Sequence, residues 1–226
     1  MAEIRFGCWV YPFEAGSAPR VDEYVDVRAG LSWPTTASPG YFCIFGLQKV
    51  PGDKMPLVLF SEGGSANLDS FFAMYAEHTK KTFCPRAFAP TEDKRGAGFL
   101  KSLRQFRIDK DINFPLPADS SKFDDPVYGI KLIERRVKEK SLAIAEPPIP
   151  SYCRGILIDQ VRSIKDQDAT DHFEERFYAV AALIRVLGSL EVWPYRKARY
   201  KDFNFTNFDH RRRSKKDSGY QEVFAG

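Results

Sequence analysis

From Asp171 to Leu187 the chain reads DHFEERFYAVAALIRVL, and within it Phe173, Phe177, Val180, Ile184 and Leu187 recur at steps of four and three. That spacing lays one apolar stripe along a helix, and such a helix must press one face into a core. Its first turn is thereby fixed in space. This turn carries Asp171, His172, Glu174 and Glu175, with Asp168 three residues upstream. Carboxylates crowded at a buried helix start are costly unless a cation stands opposite them. A divalent metal meets that need. Helix capping also explains the pattern, with Asp171 as N-cap and Glu174 three residues on, both favoured by the helix dipole. The stretch by itself leaves both readings open.

A buried helix requires a core, and 226 residues with 43% hydrophobic and 14% aromatic content can supply one as a single domain. We expect a domain over 1–195 and a basic, aromatic-rich tail over 196–226. The net charge of +4 imposes no global field. Charge is uneven, however: Arg196, Lys197, Arg199, Lys201, Arg211, Arg212, Arg213, Lys215 and Lys216 face only Asp202 and Asp209. Tyr195, Tyr200, Phe203, Phe205 and Phe208 interleave with them, a mixture suited to phosphate contacts without base readout or to a docking surface. Cys8, Cys43, Cys84 and Cys153 form no CxxC pair and no secretory leader is recognised, so free thiols in a reducing compartment are expected. Zinc is disfavoured. No apolar run reaches the length of a membrane span, and no Walker A loop occurs.

Along the chain, 1–19 suits an irregular arm. Residues 21–30 read as a strand, with Asp26 between Val25 and Val27 where an acid either faces solvent or lines a site. The runs 41–48 and 56–62 read as a hairpin around Pro51-Gly52-Asp53-Lys54, apolar enough to be covered on both faces. A helix over 68–80 capped by Asn67, a strand over 82–89 and a helix after Pro90 follow. Next come a short strand over 112–117, an amphipathic helix over 125–139 with Lys131, Arg135, Arg136 and Lys138 exposed, and a strand over 142–145. A short helix over 150–161 precedes the long one. This order predicts an α/β or α+β fold with a mixed central sheet flanked by helices, of which we take α/β.

Acids thus stand at element ends in three places: Asp26, then Glu92 and Asp93, then Asp171, Glu174 and Glu175. Oxygen ligands from separate elements at one sheet edge suit two Mg²⁺ or Mn²⁺ ions, which would stabilise attacking and leaving oxygens in phosphodiester cleavage. The series resembles the RNase H-like nuclease domain of the large terminase subunit of tailed bacteriophages. Val25-Asp26-Val27-Arg28-Ala29-Gly30 is similar to that family's first-acid strand, and Ala87-Phe88-Ala89-Pro90-Thr91-Glu92-Asp93 to its second-acid segment, although Pro90 falls where the acid usually stands. Tyr128-Gly129-Ile130 resembles the family's Gly-Ile helix, and Glu174-Glu175-Arg176-Phe177-Tyr178-Ala179 its late helix start, with Glu in place of Asp.

The resemblance implies an RNase H-like fold and a metal-dependent endonuclease that cleaves double-stranded DNA during viral genome packaging in the host cytoplasm. It implies a separate terminase ATPase domain, a small terminase subunit and a portal as partners. It makes Asp26, Glu92 or Asp93, and Asp171 or Glu175 catalytic metal ligands, with Glu174 and Glu62 as further ligand candidates and His172 as ligand or proton shuttle. Two rivals stand beside it. The first is a catalytically silent RNase H-like module that binds DNA or a capsid partner; the second is another RNase H-like nuclease, such as a resolvase.

Overall fold

A computed structural model describes residues 3–5, 8–10, 23–49, 55–144 and 152–193, all within the compact unit Met1–Pro194. The basic segment, the Pro51–Lys54 turn and most of the N-terminal arm lie outside the described residues. In chain order the elements are β1 (Glu3–Arg5), β2 (Cys8–Val10), β3 (Tyr24–Ser32), β4 (Gly40–Gln48), β5 (Leu57–Ser65), α1 (Leu68–Lys81), β6 (Arg86–Ala89) and α2 (Lys94–Asp109). Then come β7 (Ala118–Asp119), α3 (Pro126–Lys138), β8 (Leu142–Ala143), α4 (Tyr152–Ser163), α5 (Phe173–Arg176) and α6 (Tyr178–Val192). The strands form one mixed sheet in the order β1-β2-β8-β5-β4-β3-β6-β7. β3, β4 and β5 pair antiparallel, while β6 runs parallel to β3 and β8 parallel to β5.

Alternation along β3 decides what each face meets. Val27, Ala29 and Leu31 join Phe42, Ile44, Phe71, Phe72 and Tyr75 in a core beneath α1 and α2. The intervening Arg28 and Gly30 face α6 on the other side of the sheet. Helices therefore cover both faces, as the sequence predicts. The approach of α6 to β3 is so close that a Cβ on Gly30 would lie 1.9 Å from the Ala182 carbonyl oxygen. Such proximity leaves α6 buried without interruption from Ala179 to Leu190, not merely along one stripe.

Local caps follow their expected chemistry. The Asn67 side chain accepts from the Ser70 N–H, Asp93 from Gly96, and Asp125 from Val127 and Tyr128. Four elements differ from expectation. Glu3–Arg5 and Cys8–Val10 are antiparallel strands that extend the sheet rather than an irregular arm. The strand expected over 112–117 is only Ala118–Asp119, because Pro115 and Pro117 carry no N–H for a ladder. The strand expected from Thr82 starts at Arg86, since Thr82 and Phe83 still close the end of α1 through the His78 and Lys80 carbonyls. Finally, the backbone leaves the helical region at Phe177 (φ −121°, ψ 43°), so the helix expected from Asp171 becomes α5 and α6. Phe173 and Phe177 stack across that break at 5.7 Å, which keeps the apolar stripe in phase.

Candidate active-site edge

The carboxyl ends of β3 and β6 and the amino end of α6 meet at one edge of the sheet. At its centre is Arg185, only 1% exposed although it lies between Ile184 and Val186 in the most apolar helix among the described residues. Its Nη1 donates to the Leu31 carbonyl at 2.6 Å, its Nε to Asp124 Oδ2 at 2.8 Å, and its Nη2 lies 2.7 Å from the same oxygen. Nη2 also pairs with Glu174. Asp124 Oδ2 accepts a further bond from the Ser120 hydroxyl at 3.1 Å. One guanidinium thus ties β3, the segment before α3, and α5 together. Beside it on β3, the Ser32 hydroxyl is fully buried with no hydrogen-bond partner.

Asp26 lies at the other end of β3. Arg28, 2% exposed, donates to Asp26 Oδ2 from Nε at 2.9 Å and from Nη2 at 2.5 Å. The same guanidinium donates to the Ser189 carbonyl at 2.6 Å and the Trp193 carbonyl at 2.7 Å, satisfying the C-terminal end of α6 where the helix dipole favours a cation. Asp26 and Leu31 are five strand residues apart, about 16 Å at the usual rise. Two oxygens ligating one metal pair must approach far more closely, since the ions themselves stand about 4 Å apart.

The other predicted acids are also engaged separately. Glu62, 8% exposed on β5, receives Arg154 of α4 at 3.2 Å and 2.9 Å, one bond to each carboxylate oxygen. Asp93 caps α2, and Gly96 is required there because a Cβ would lie 2.0 Å from the Pro90 carbonyl oxygen. Glu92 is exposed and accepts from the Ser121 hydroxyl at 3.3 Å. Asp119 organises this loop, its Oδ1 accepting from the Thr91 and Glu92 N–H groups and its Oδ2 from Ser121. Partial burial opposes ionisation of Asp119, but the bonds from Ser121 and Thr91 outweigh it and hold its pKa below the ordinary carboxylate value. Asp171 is exposed and makes no cap: His172 takes the cap position of α5 without a side-chain bond to it. His172 Nδ1 and Glu175 Oε2 face each other at 3.3 Å in solvent.

The chemistry of this donor set can be weighed against two divalent ions. Among the described residues no three His, Cys, Asp or Glu side chains converge as a metal would need. Glu174, of the predicted acids, pairs with the Arg185 guanidinium, whereas Glu92 and Asp93 follow β6 at the same sheet edge and are engaged by Ser121 and Gly96. The predicted ligand set therefore does not fit a metal pair in this arrangement. A cysteine nucleophile is disfavoured as well: burial pushes the Cys43 thiol far up and the Cys84 thiol to about 12.

Asp124, Asp119, Arg28 and Arg185 are the residues that reading the sequence overlooks. An arginine inside the unbroken apolar run AVAALIRVL was the available signal, since a buried guanidinium obliges carboxylates or carbonyls to meet it.

No family model matches this sequence, and no curated protein matches it. Solved structures do. The human cytomegalovirus terminase nuclease domain, Mn-soaked with an inhibitor bound, is 9% identical with a TM-score of 0.53, over 80% of this chain and 89% of that one. The large-terminase nuclease domain of bacteriophage SPP1 with bound Mn is 16% identical (76% and 94% covered, TM-score 0.49). The large-terminase nuclease domain of Thermus phage P74-26 is 14% identical (82% and 91% covered, TM-score 0.48). The likeness to the cytomegalovirus domain identifies the fold of this chain as the RNase H-like fold of terminase nuclease domains.

Proposed function

We propose that this chain serves viral genome packaging as a terminase-type nuclease domain acting on double-stranded DNA. One observation carries the proposal: a mixed sheet with helices on both faces that matches such a domain across four fifths of the chain. The basic, aromatic segment from Tyr195 to Lys216 supports contact with DNA phosphates. A domain of this kind would work beside an ATPase motor, a small terminase subunit and a portal.

Two forms of action follow. An endonuclease using one or two Mg²⁺ or Mn²⁺ ions is what the fold supports. Its ligands would come from Glu174 and its neighbours at the Arg185 edge rather than from Asp26, and those oxygens already hold a guanidinium. The second form, a module that engages DNA or a packaging partner without cutting it, is favoured by that same arginine.

A supercoiled-plasmid nicking assay in Mn²⁺, run beside a duplex-binding titration at two salt concentrations, distinguishes the forms. For the silent module we expect salt-sensitive duplex binding and no nicking. Nicking that disappears in Glu174→Gln but survives in Asp26→Ala would instead establish the endonuclease at this edge. Neither binding nor nicking would refute action on DNA altogether.

A further inference from the structure

We infer that Arg185 stands in for a divalent cation, so that the acidic edge between β3, α5 and α6 is closed to Mg²⁺ and Mn²⁺ and the fold holds without metal. The inference follows from where the guanidinium donors go. Nε and Nη2 engage Asp124, Nη2 also pairs with Glu174, and Nη1 takes the Leu31 carbonyl. These are hard oxygen acceptors of the type a Mg²⁺ or Mn²⁺ ion would bind. Here Asp124 and the Leu31 carbonyl accept N–H bonds, and Glu174 Oε1, buried without a hydrogen-bond donor, faces the charge of Nη2.

Three features keep a metal from competing. Arginine is permanently charged, so no ordinary change of pH vacates the position. At 1% exposure the guanidinium is in a poorly screened environment, where a second cation beside it would be repelled strongly. The stem of Arg185 leaves α6 between Ala179 and Leu190, a stretch buried at every position, and so has no solvent-facing direction in which to withdraw. A mobile surface arginine would merely gate a metal site. This one is part of the core.

The inference bears on only one form of the proposed function: if it holds, a metal-dependent endonuclease at this edge is excluded, while duplex binding is untouched and is tested apart from it. The test uses the whole chain without nucleic acid. Mn²⁺ is titrated and followed by loss of the free-ion paramagnetic resonance signal, and thermal midpoints are recorded in EDTA and in millimolar Mn²⁺. We expect wild type to take up no Mn²⁺ through Asp124 or Glu174 and its midpoint to be the same in both buffers. Arg185→Met, which leaves the two carboxylates facing one another, should melt several degrees lower in EDTA and recover part of that loss in Mn²⁺. The recovery should vanish in Arg185→Met/Glu174→Gln. If Arg185→Met does not fold, Arg185→Gln retains an amide donor for the Leu31 carbonyl and serves in its place. Stoichiometric Mn²⁺ uptake by wild type that Asp124→Asn or Glu174→Gln abolishes would overturn the inference, as would a charge-removing variant that folds yet ignores Mn²⁺.

Discussion

Adding one methyl group at Gly30 should unseat the helix that organises this fold. An alanine Cβ there would lie 1.9 Å from the Ala182 carbonyl oxygen, 2.9 Å from its carbon and 3.1 Å from Val186 Cγ2. Comfortable contact begins near 3.5 Å, so α6 would have to retreat by roughly 1.5 Å. The obstacle is backbone, which cannot rotate away. Overpacking of a core costs about 1–3 kcal/mol. The same retreat would stretch the 2.6 Å bond from Arg185 to the Leu31 carbonyl to about 4 Å, beyond hydrogen-bonding range. Losing a bond to a charged donor adds about 1.5–3 kcal/mol. The two effects together come to roughly 3–6 kcal/mol. At about 2–4 °C per kcal/mol for a chain of this size, Gly30→Ala should melt roughly 6–24 °C below wild type. Urea unfolding followed by far-ultraviolet circular dichroism gives the free energy directly. Gly98→Ala is the matched control: nothing lies within 4 Å of its added Cβ in α2, and it should gain about 0.4–1 kcal/mol. A Gly30→Ala protein within about 0.5 kcal/mol of wild type would refute the close seating of α6 on β3.

Two further outcomes follow from the carboxylates Asp26 and Asp119. Arg28→Met leaves Asp26, 10% exposed, without its cation and the end of α6 without its donor, and should cost about 3–5 kcal/mol in urea unfolding; restoration of a substantial part by a second change, Asp26→Asn, would confirm that Asp26 is structural, and no restoration would count against it. For Asp119, whose folded pKa lies below its ordinary value of 3.8, the sign is fixed by linkage: its contribution is fully present above that value and is lost as pH falls through the lower folded one. The stability gap between wild type and Asp119→Asn should therefore be widest near neutral pH and close in acid, and a gap that stays constant from pH 7 to pH 3 would contradict the Thr91–Ser121 anchoring.

Much of the architecture is legible in the sequence because it is written in local periodicity. The β4–β5 hairpin, α1 with Asn67, α3 with Asp125, and the Phe173–Leu187 stripe each follow from side-chain spacing and cap chemistry within a few residues. Two prolines shortened β7, and a single non-helical residue at Phe177 divided the long helix; both are one-residue events that a periodic pattern averages over.

The acids were a different matter. Sequence identified carboxylates at element ends, yet it could not assign partners to them, because the partners arrive from other elements: Arg28 turns Asp26 toward the end of α6, Arg154 claims Glu62 from α4, and Arg185 claims Glu174. An acidic residue in a strand or at a helix start reads the same whether a metal or a guanidinium will face it. Only packing of α6 onto β3, close enough to require Gly30, brings the arginine there, since neutralising a buried carboxylate depends on what lies within a few ångströms in space and not on what lies nearby in the chain.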